Sequence, residues 1–141
     1  MPALDDIEIR FVDEWRSDDL IELYKQAGWW KDSYDPSGLI PMIRGTYLFA
    51  VAVDRNTGRA VGMGRSISDG ASDAYIQDVT VLESMRGTGI GGMIIRSLVD
   101  RLKKNGIIWI GLIAEGGSEK FYRDLGFREF NGKPMVIEPG E

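Results

Sequence analysis

The sequence predicts one α+β domain, built on a mixed and mostly antiparallel sheet with helices packed on it. Three observations carry that prediction. Up to about residue 81, short apolar runs alternate around turn signals, which is the pattern of hairpins. From Ile90 to Lys104 the apolar residues Ile90, Met93, Ile94, Leu98 and Leu102 fall at helical spacing. The segment 74–113 then reads strand, glycine loop, helix, strand, and such a crossover normally makes a right-handed parallel pair. At 141 residues, with no repeat, linker or low-complexity tract, the chain is one domain spanning 1–141 and long enough to bury a core.

"IEIRFV" (Ile7 to Val12) alternates apolar and polar residues and predicts an opening strand. A helix follows in "SDDLIELYKQAG", with Ser17 as N-cap, acids in the first turn and Gly28 as the left-handed stop. Leu20, Leu23, Tyr24 and Ala27 give it one buried face. "GWWKDSYDPSGLIPMIRG" is aromatic and punctuated by Pro36 and Pro41, so it predicts a loop with a short helix. "TYLFAVAVD", the turn "RNTG" and "RAVGMGRSI" form a hairpin, and "AYIQDVTV" (Ala74 to Val81) returns antiparallel beyond the turn "SDGASD". After the helix, Asn105 and Gly106 stop the run and "IIWIGLI" (Ile107 to Ile113) forms the next strand. A short helix, roughly Ser118 to Leu125, ends at Gly126, and two weak terminal strands are expected to close the sheet.

Composition removes whole classes of chemistry. With no cysteine there is no disulfide and no thiolate nucleophile. With no histidine the commonest general base, the commonest zinc ligand and any Ser-His-Asp triad are absent. No metal site is expected. The net charge of −5 argues against a nucleic-acid partner, which wants a basic face, and is compatible with a cationic substrate. Apolar runs such as "YLFAVAV" are too short to span a bilayer, and the acidic N-terminus lacks a signal core, so a cytoplasmic location with no membrane partner is expected.

The stretch "RGTGIGG" (Arg86 to Gly92) contains a literal G-x-G-x-x-G immediately before the helix. Glycines let successive amides point into one concavity, and the helix N-terminus adds partial positive charge, so the pattern suits a phosphate. A tight turn is the plain alternative. A dinucleotide fold needs its glycines directly at the end of an early parallel strand and a second βαβ half. Here "LESMR" separates Val81 from Gly87, hairpins precede the motif and little chain follows. Glu115, at the end of the next strand, keeps the dinucleotide reading as a minor alternative.

Together, "YIQDVTVLESMRGTGIGGMIIRSLVDRLKKNG" and "GLIAEGGSEKFYRDLGFREF" resemble the GNAT superfamily of acetyl-CoA-dependent N-acetyltransferases. The family's loop signature Q/R-x-x-G-x-G/A is met by Arg86, Gly89 and Gly91, and its closing F/L-Y-x-x-x-G-F run by Phe121, Tyr122, Gly126 and Phe127. The resemblance covers roughly residues 47 to 130. It implies that the central parallel strands splay apart in the middle of the sheet, with helices on both faces. It implies a cofactor, acetyl-CoA (coenzyme A), whose pyrophosphate lies on the amides of Gly87, Thr88, Gly89, Ile90, Gly91 and Gly92, with Arg86 shaping the loop. The backbone of Val79, Thr80 and Val81 would pair with pantetheine. Tyr122 would be the general acid that protonates the departing thiolate, though a tyrosine on the buried face of a short helix needs no such role.

The acceptor side is less determined. "YIQDVTV" resembles the "LED" stretch of spermidine/spermine acetyltransferases, but Gln77 stands where the first acid would be, and only Asp78 remains for amine binding or proton relay. The strand position that carries a glutamate base in several members falls at Ile110 and Gly111, and Glu115 falls near a position often held by asparagine. Trp29, Trp30 and Tyr34 could stack on an aryl group or embrace a cation, or plug a long loop. Arg65 and Asp69 lie near the site by strand order, and Gln77 completes the substrate candidates. The expected function is acetyl transfer to a primary amine, most simply a small molecule. A protein or peptide acceptor is the alternative within the class, and a catalytically weak acyl-CoA-binding module the alternative outside it. Homodimers are common among proteins of this kind.

Overall fold

The computed structural model describes residues 3–139. Its centre is a five-stranded sheet in the order β1–β2–β3–β4–β5, with β1 Ile7–Phe11, β2 Leu48–Asp54, β3 Arg59–Ser68, β4 Asp73–Val81 and β5 Trp109–Leu112. The first four strands are antiparallel, and β5 runs parallel to β4. The helices are α1 Ser17–Gln26, α2 Leu39–Gly45, α3 Ile90–Lys104 and α4 Glu119–Asp124. No helix among the described residues is long and apolar enough to cross a membrane.

Period-two alternation, interrupted in β3 by a bulge at Val61 opposite Ala52–Val53, assigns the two sheet faces. Phe49, Val51, Val53, Ala60 and Met63 point to one side and bury Leu20, Leu23 and Tyr24 of α1 with Leu39 and Ile43 of α2. Ala50, Ala52, Val61, Ala74 and Ile76 point to the other side and bury Ile90, Ile94, Ile95, Leu98 and Leu102 of α3. Helices therefore cover both faces, as predicted. On the α3 side, glycines replace side chains in β3. A Cβ on Gly62 would lie 2.9 Å from Ile94, and one on Gly64 would lie 2.8 Å from Ile94 and 3.2 Å from Val79. Helix α3 sits directly on β3 because those two positions carry no Cβ.

Three expectations are corrected. Ser17 begins α1 rather than capping it; the N-cap is Arg16, whose side chain makes no cap hydrogen bond. The first turn is anchored instead by Asp19, which accepts from Trp15 Nε1 at 2.9 Å and from the Ala60 amide at 3.0 Å. The predicted terminal strands do not form among the described residues, where 127–139 carry no strand. Pro134 and Pro139 bracket the apolar Met135–Ile137 run and remove two backbone donors, so any ladder there is short of partners. In consequence the parallel pair lies at one edge of the sheet rather than in its middle. That edge carries the exposed apolar side chains of Ile108 and Ile113, and Met135, Val136 and Ile137 near the C-terminus are exposed as well.

The splay itself is present. β4 and β5 pair from Asp73 opposite Trp109 to Ile76 opposite Leu112, and no further. From Gln77 to Val81 the side of β4 that faces β5 has no strand partner.

Candidate active site

The glycine loop links the open end of β4 to α3. A single 3₁₀ turn, Glu83–Met85, follows Val81, and the chain then turns through Gly87 and Gly89 with φ of +78° and +98°. Both lie in the left-handed region that glycine enters without a Cβ penalty. Arg86 Nε donates to the carbonyl of Val81 at 3.0 Å, and the Thr88 hydroxyl donates to the carbonyl of Met85 at 2.6 Å. These two bonds tie the loop to the strand end. Among the described residues, no amide from Gly87 to Gly92 donates to any protein acceptor, and the first helical bond runs from Met93 to Gly89 at 3.1 Å. Six consecutive N–H groups at the head of α3 therefore lack partners. Donors so gathered, with the positive end of the helix dipole behind them, fit a ligand that offers only acceptor oxygens, such as a pyrophosphate. The residues present fit coenzyme A in this respect. Its pantetheine would find the unpaired side of β4 from Val79 to Val81, although the Val81 carbonyl already accepts from Arg86.

The second group of residues lies where β4 is deformed. Gly64 of β3 faces both Asp78 and Val79, because the register slips between Arg65 opposite Gln77 and Met63 opposite Thr80. Asp78 absorbs this bulge with φ +57°, and among the described residues it is the one non-glycine with positive φ. Such outliers cluster at functional sites, where the surroundings hold them in place. The surroundings here are two donors on one oxygen. Arg65 Nε and the Tyr24 hydroxyl both donate to Asp78 Oδ2, each at 2.8 Å. Arg65 also donates from Nη1 to the Thr46 hydroxyl at 3.1 Å, and that hydroxyl donates to the carbonyl of Met42 at 2.7 Å. The ion pair is mostly buried, with side chains 16% and 23% exposed. Burial, then the Asp78 charge, pushes the Tyr24 hydroxyl far above the ordinary phenol range, so it remains a donor.

Tyr122, on α4, is half-buried against the α3 cluster and packs edge-on to Phe121 and Phe127 with ring centroids 4.9 and 5.9 Å apart. Phe121 in turn reaches the cradle, 3.3 Å from where a Cβ on Gly91 would lie. Burial, followed by the charge of Glu115, raises the Tyr122 hydroxyl above its ordinary pKa. A protonated phenol is the form that can donate to a departing anion. Tyr122 also lines a cleft of about 790 Å³ outside β5, walled by Gly111, Leu112 and Ala114 on one side and Phe127 to Phe130 on the other.

The structure thus brings the sequence candidates into two groups joined by β4. Arg86 to Gly92, the Val79–Val81 edge and α4 share one end. Asp78, Arg65 and the aromatic loop share the α1–α2 face, where Trp29 and Trp30 pack half-buried against the core and Tyr34 is exposed. Gln77 is exposed and pairs with Arg65 across the strands. Asp69 lies apart. It closes its own turn by accepting from the Ala71 and Ser72 amides at 2.8 Å, and those bonds lower its carboxyl to about 2. Two members of the Asp78 network, Tyr24 and Thr46, are absent from the sequence candidates. Tyr24 could have been found, because a tyrosine on the buried face of an amphipathic helix needs a partner for its hydroxyl.

A mixed sheet that opens beside an amide-lined loop at a helix head is the architecture of this chain. The acetyltransferase (GNAT) family matches residues 6–127, and the chain belongs to that family. Serotonin N-acetyltransferase 2 of rice (Oryza sativa subsp. japonica) is 39% identical over 72 residues, covering 51% of this chain and 36% of that protein. Histone acetyltransferase TAP1 of Glycine max is 41% identical over 69 residues, covering 49% of this chain and 28% of that protein. These matches span only about a third of the curated relatives. Among solved structures, a probable acetyltransferase of meticillin-resistant Staphylococcus aureus superposes with a TM-score of 0.80 at 23% identity, covering 94% of this chain and 99% of that one.

Proposed function

We propose that this domain transfers an acetyl group from acetyl-CoA to a small primary amine by direct attack within a ternary complex. The observation that carries the reading is the row of partnerless amides from Gly87 to Gly92 beside the unpaired edge of β4. The cradle holds the pyrophosphate, Arg86 keeps the loop against the strand end, and the Val79–Val81 backbone aligns the pantetheine arm. Acetyl-CoA supplies an acyl group already activated as a thioester. With acetyl-CoA bound, the amine nitrogen would form the new C–N bond as the C–S bond breaks; the Tyr122 hydroxyl would give its proton to the departing sulfur and regain one, through water, from the nitrogen as it becomes an amide. An amine of pKa near 10 arrives largely as its ammonium. Asp78, fixed through Oδ2 by Arg65 and Tyr24, serves to hold that ammonium. The ammonium proton is lost to water before attack. Trp29, Trp30, Tyr34 and Gln77 border the acceptor.

A protein acceptor is the second reading, favoured by the histone acetyltransferase among the relatives. Two measurements test the proposal. Thermal unfolding with acetyl-CoA, NAD and FAD separates the cofactor classes, and stabilisation by acetyl-CoA alone is expected. Stabilisation by NAD without acetyl-CoA would sink the reading. An acetyl-transfer screen over amines, aryl amines, polyamines, aminoglycosides and peptides then separates small molecules from protein acceptors.

A further inference from the structure

Tyr24 does more than pack. Its ring already fills the buried face of α1, with 7% exposure, and a phenylalanine would fill the same space. The hydroxyl instead reaches across to a residue 54 positions away and fixes Asp78 Oδ2 at 2.8 Å. Arg65 fixes the same oxygen, and Thr46 prevents Arg65 from swinging away. Oδ1 receives no hydrogen bond from the described residues, and it is not among their buried atoms lacking a partner, so it meets accessible space. The carboxylate is therefore locked with one oxygen turned inward and one left available. A carboxylate so held, with Arg65 balancing its charge, has room for one ammonium and no second acid beside it, since its neighbour is Gln77.

The ring that holds the carboxylate belongs to an aromatic cluster. Tyr34, 46% exposed, stands edge-on to Trp30 with centroids 5.5 Å apart, and Trp30 lies 6.3 Å from Tyr24. The row runs from the surface to the hydroxyl that holds Asp78. Partly exposed rings packed on the residue that holds a carboxylate complement an aryl group carrying an amine, through stacking at one end and charge at the other.

We propose that Tyr24 is a positioning residue of the acceptor site, fixing Asp78 Oδ2 so that Oδ1 stays available to the single ammonium of an aromatic monoamine. The inference rests on the acetyltransferase reading and on Asp78 as the amine-binding group. The test is a steady-state assay with acetyl-CoA as donor and tyramine, tryptamine and spermidine as acceptors, on the wild type, Tyr24→Phe and Asp78→Asn. Tyramine or tryptamine is expected to exceed spermidine in kcat/KM. Tyr24→Phe removes one charge-assisted hydrogen bond and is expected to raise the aromatic amine's KM roughly fivefold, with the change falling on KM rather than kcat. Acetyl-CoA affinity, measured by calorimetry, is expected to stay at the wild-type value; a role in packing alone, which phenylalanine preserves, would leave the amine's KM unchanged as well. If Tyr24→Phe does not fold, Thr46→Val, which frees Arg65 from its other anchor, carries the same expectation.

The failures are separable. If Asp78→Asn raises KM and Tyr24→Phe does not, the positioning role of Tyr24 is overturned while the function stands. If Asp78→Asn leaves the amine's KM unchanged, Asp78 is not the acceptor group and the inference falls with it. Preference for spermidine, or no turnover of any of the three amines by a protein that acetyl-CoA stabilises, overturns the aromatic monoamine. Absence of acetyl-CoA binding overturns the underlying reading.

Discussion

Gly64→Ala tests how the sheet supports the site from beneath. The added Cβ would lie 2.8 Å from Ile94 Cγ2, 3.2 Å from Val79 Cγ2 and 3.3 Å from Leu98 Cδ1. Carbon atoms pack at about 3.5–4.0 Å, so the nearest contact must open by about 0.7 Å. Ile94 is fully buried and β-branched, and its Cγ2 cannot turn aside without leaving its favoured helical rotamer. The strain therefore passes to the helix, which must lift off β3. Overpacking of this kind costs about 1–3 kcal/mol. Taking about 2 kcal/mol, Tm should fall by about 6 °C for a domain of this size, read by calorimetry or by fluorescence during heating. Because α3 begins with Ile90, Gly91 and Gly92, lifting it also moves half of the amide cradle, so acetyl-CoA should bind more weakly in titration calorimetry. Gly45→Ala, where a Cβ meets nothing within 4 Å, is the control and should hold or raise Tm. A Gly64→Ala protein that keeps wild-type Tm and wild-type acetyl-CoA affinity would refute the claim that β3 sets the height of α3.

Other substitutions read other parts of the molecule. Gly89→Ala places a Cβ at φ +98° in the cradle, a strain of about 1–2 kcal/mol, and should raise the acetyl-CoA Kd roughly tenfold in calorimetric titration. Tyr122→Phe should lower kcat by about 10²-fold while acetyl-CoA affinity holds; unchanged turnover would remove its acid role. Asp19, 3% exposed, has its carboxyl held below the usual range: burial alone would raise it, but the Ala60 amide, Trp15, Arg59 and Arg16 together prevail. Asp19→Asn should cost about 3 kcal/mol near neutral pH in denaturant unfolding. A lowered folded-state pKa contributes stability above the unfolded value near 3.9 and loses it as pH falls, so the gap between wild type and Asp19→Asn should narrow below about pH 4. A gap that stays constant to about pH 2.5, well below that value, would show that ionisation of Asp19 is not the source.

What the sequence made legible was local or periodic. The α3 repeat, the β2–β3 hairpin with its Asp54–Gly58 turn, and the six-residue glycine loop are each specified by neighbours in the chain. Asp78 shows why the acceptor side was harder to read. Its partners Tyr24 and Arg65 come from α1 and β3, and the bulge that aims its carboxylate arises from a register slip opposite Gly64. No spacing rule announces a residue driven to φ +57° by strand pairing. The closing strands expected there do not form among the described residues for the opposite reason: the apolar run Met135–Ile137 is visible, but proline on both sides weakens its ladder.

The free margin of β5 has a practical consequence at the bench. Unpaired backbone, flanked by Ile108 at 89% exposure, is a template on which another extended chain can add, and the exposed Met135–Ile137 run is a second apolar surface. Crowding the protein, as in a concentrated stock, raises the rate of such encounters with every increment of concentration. Lysines at Ile108 and Val136, far from the amide cradle in sequence, would place charge on that margin and make the stock more tolerant of concentration.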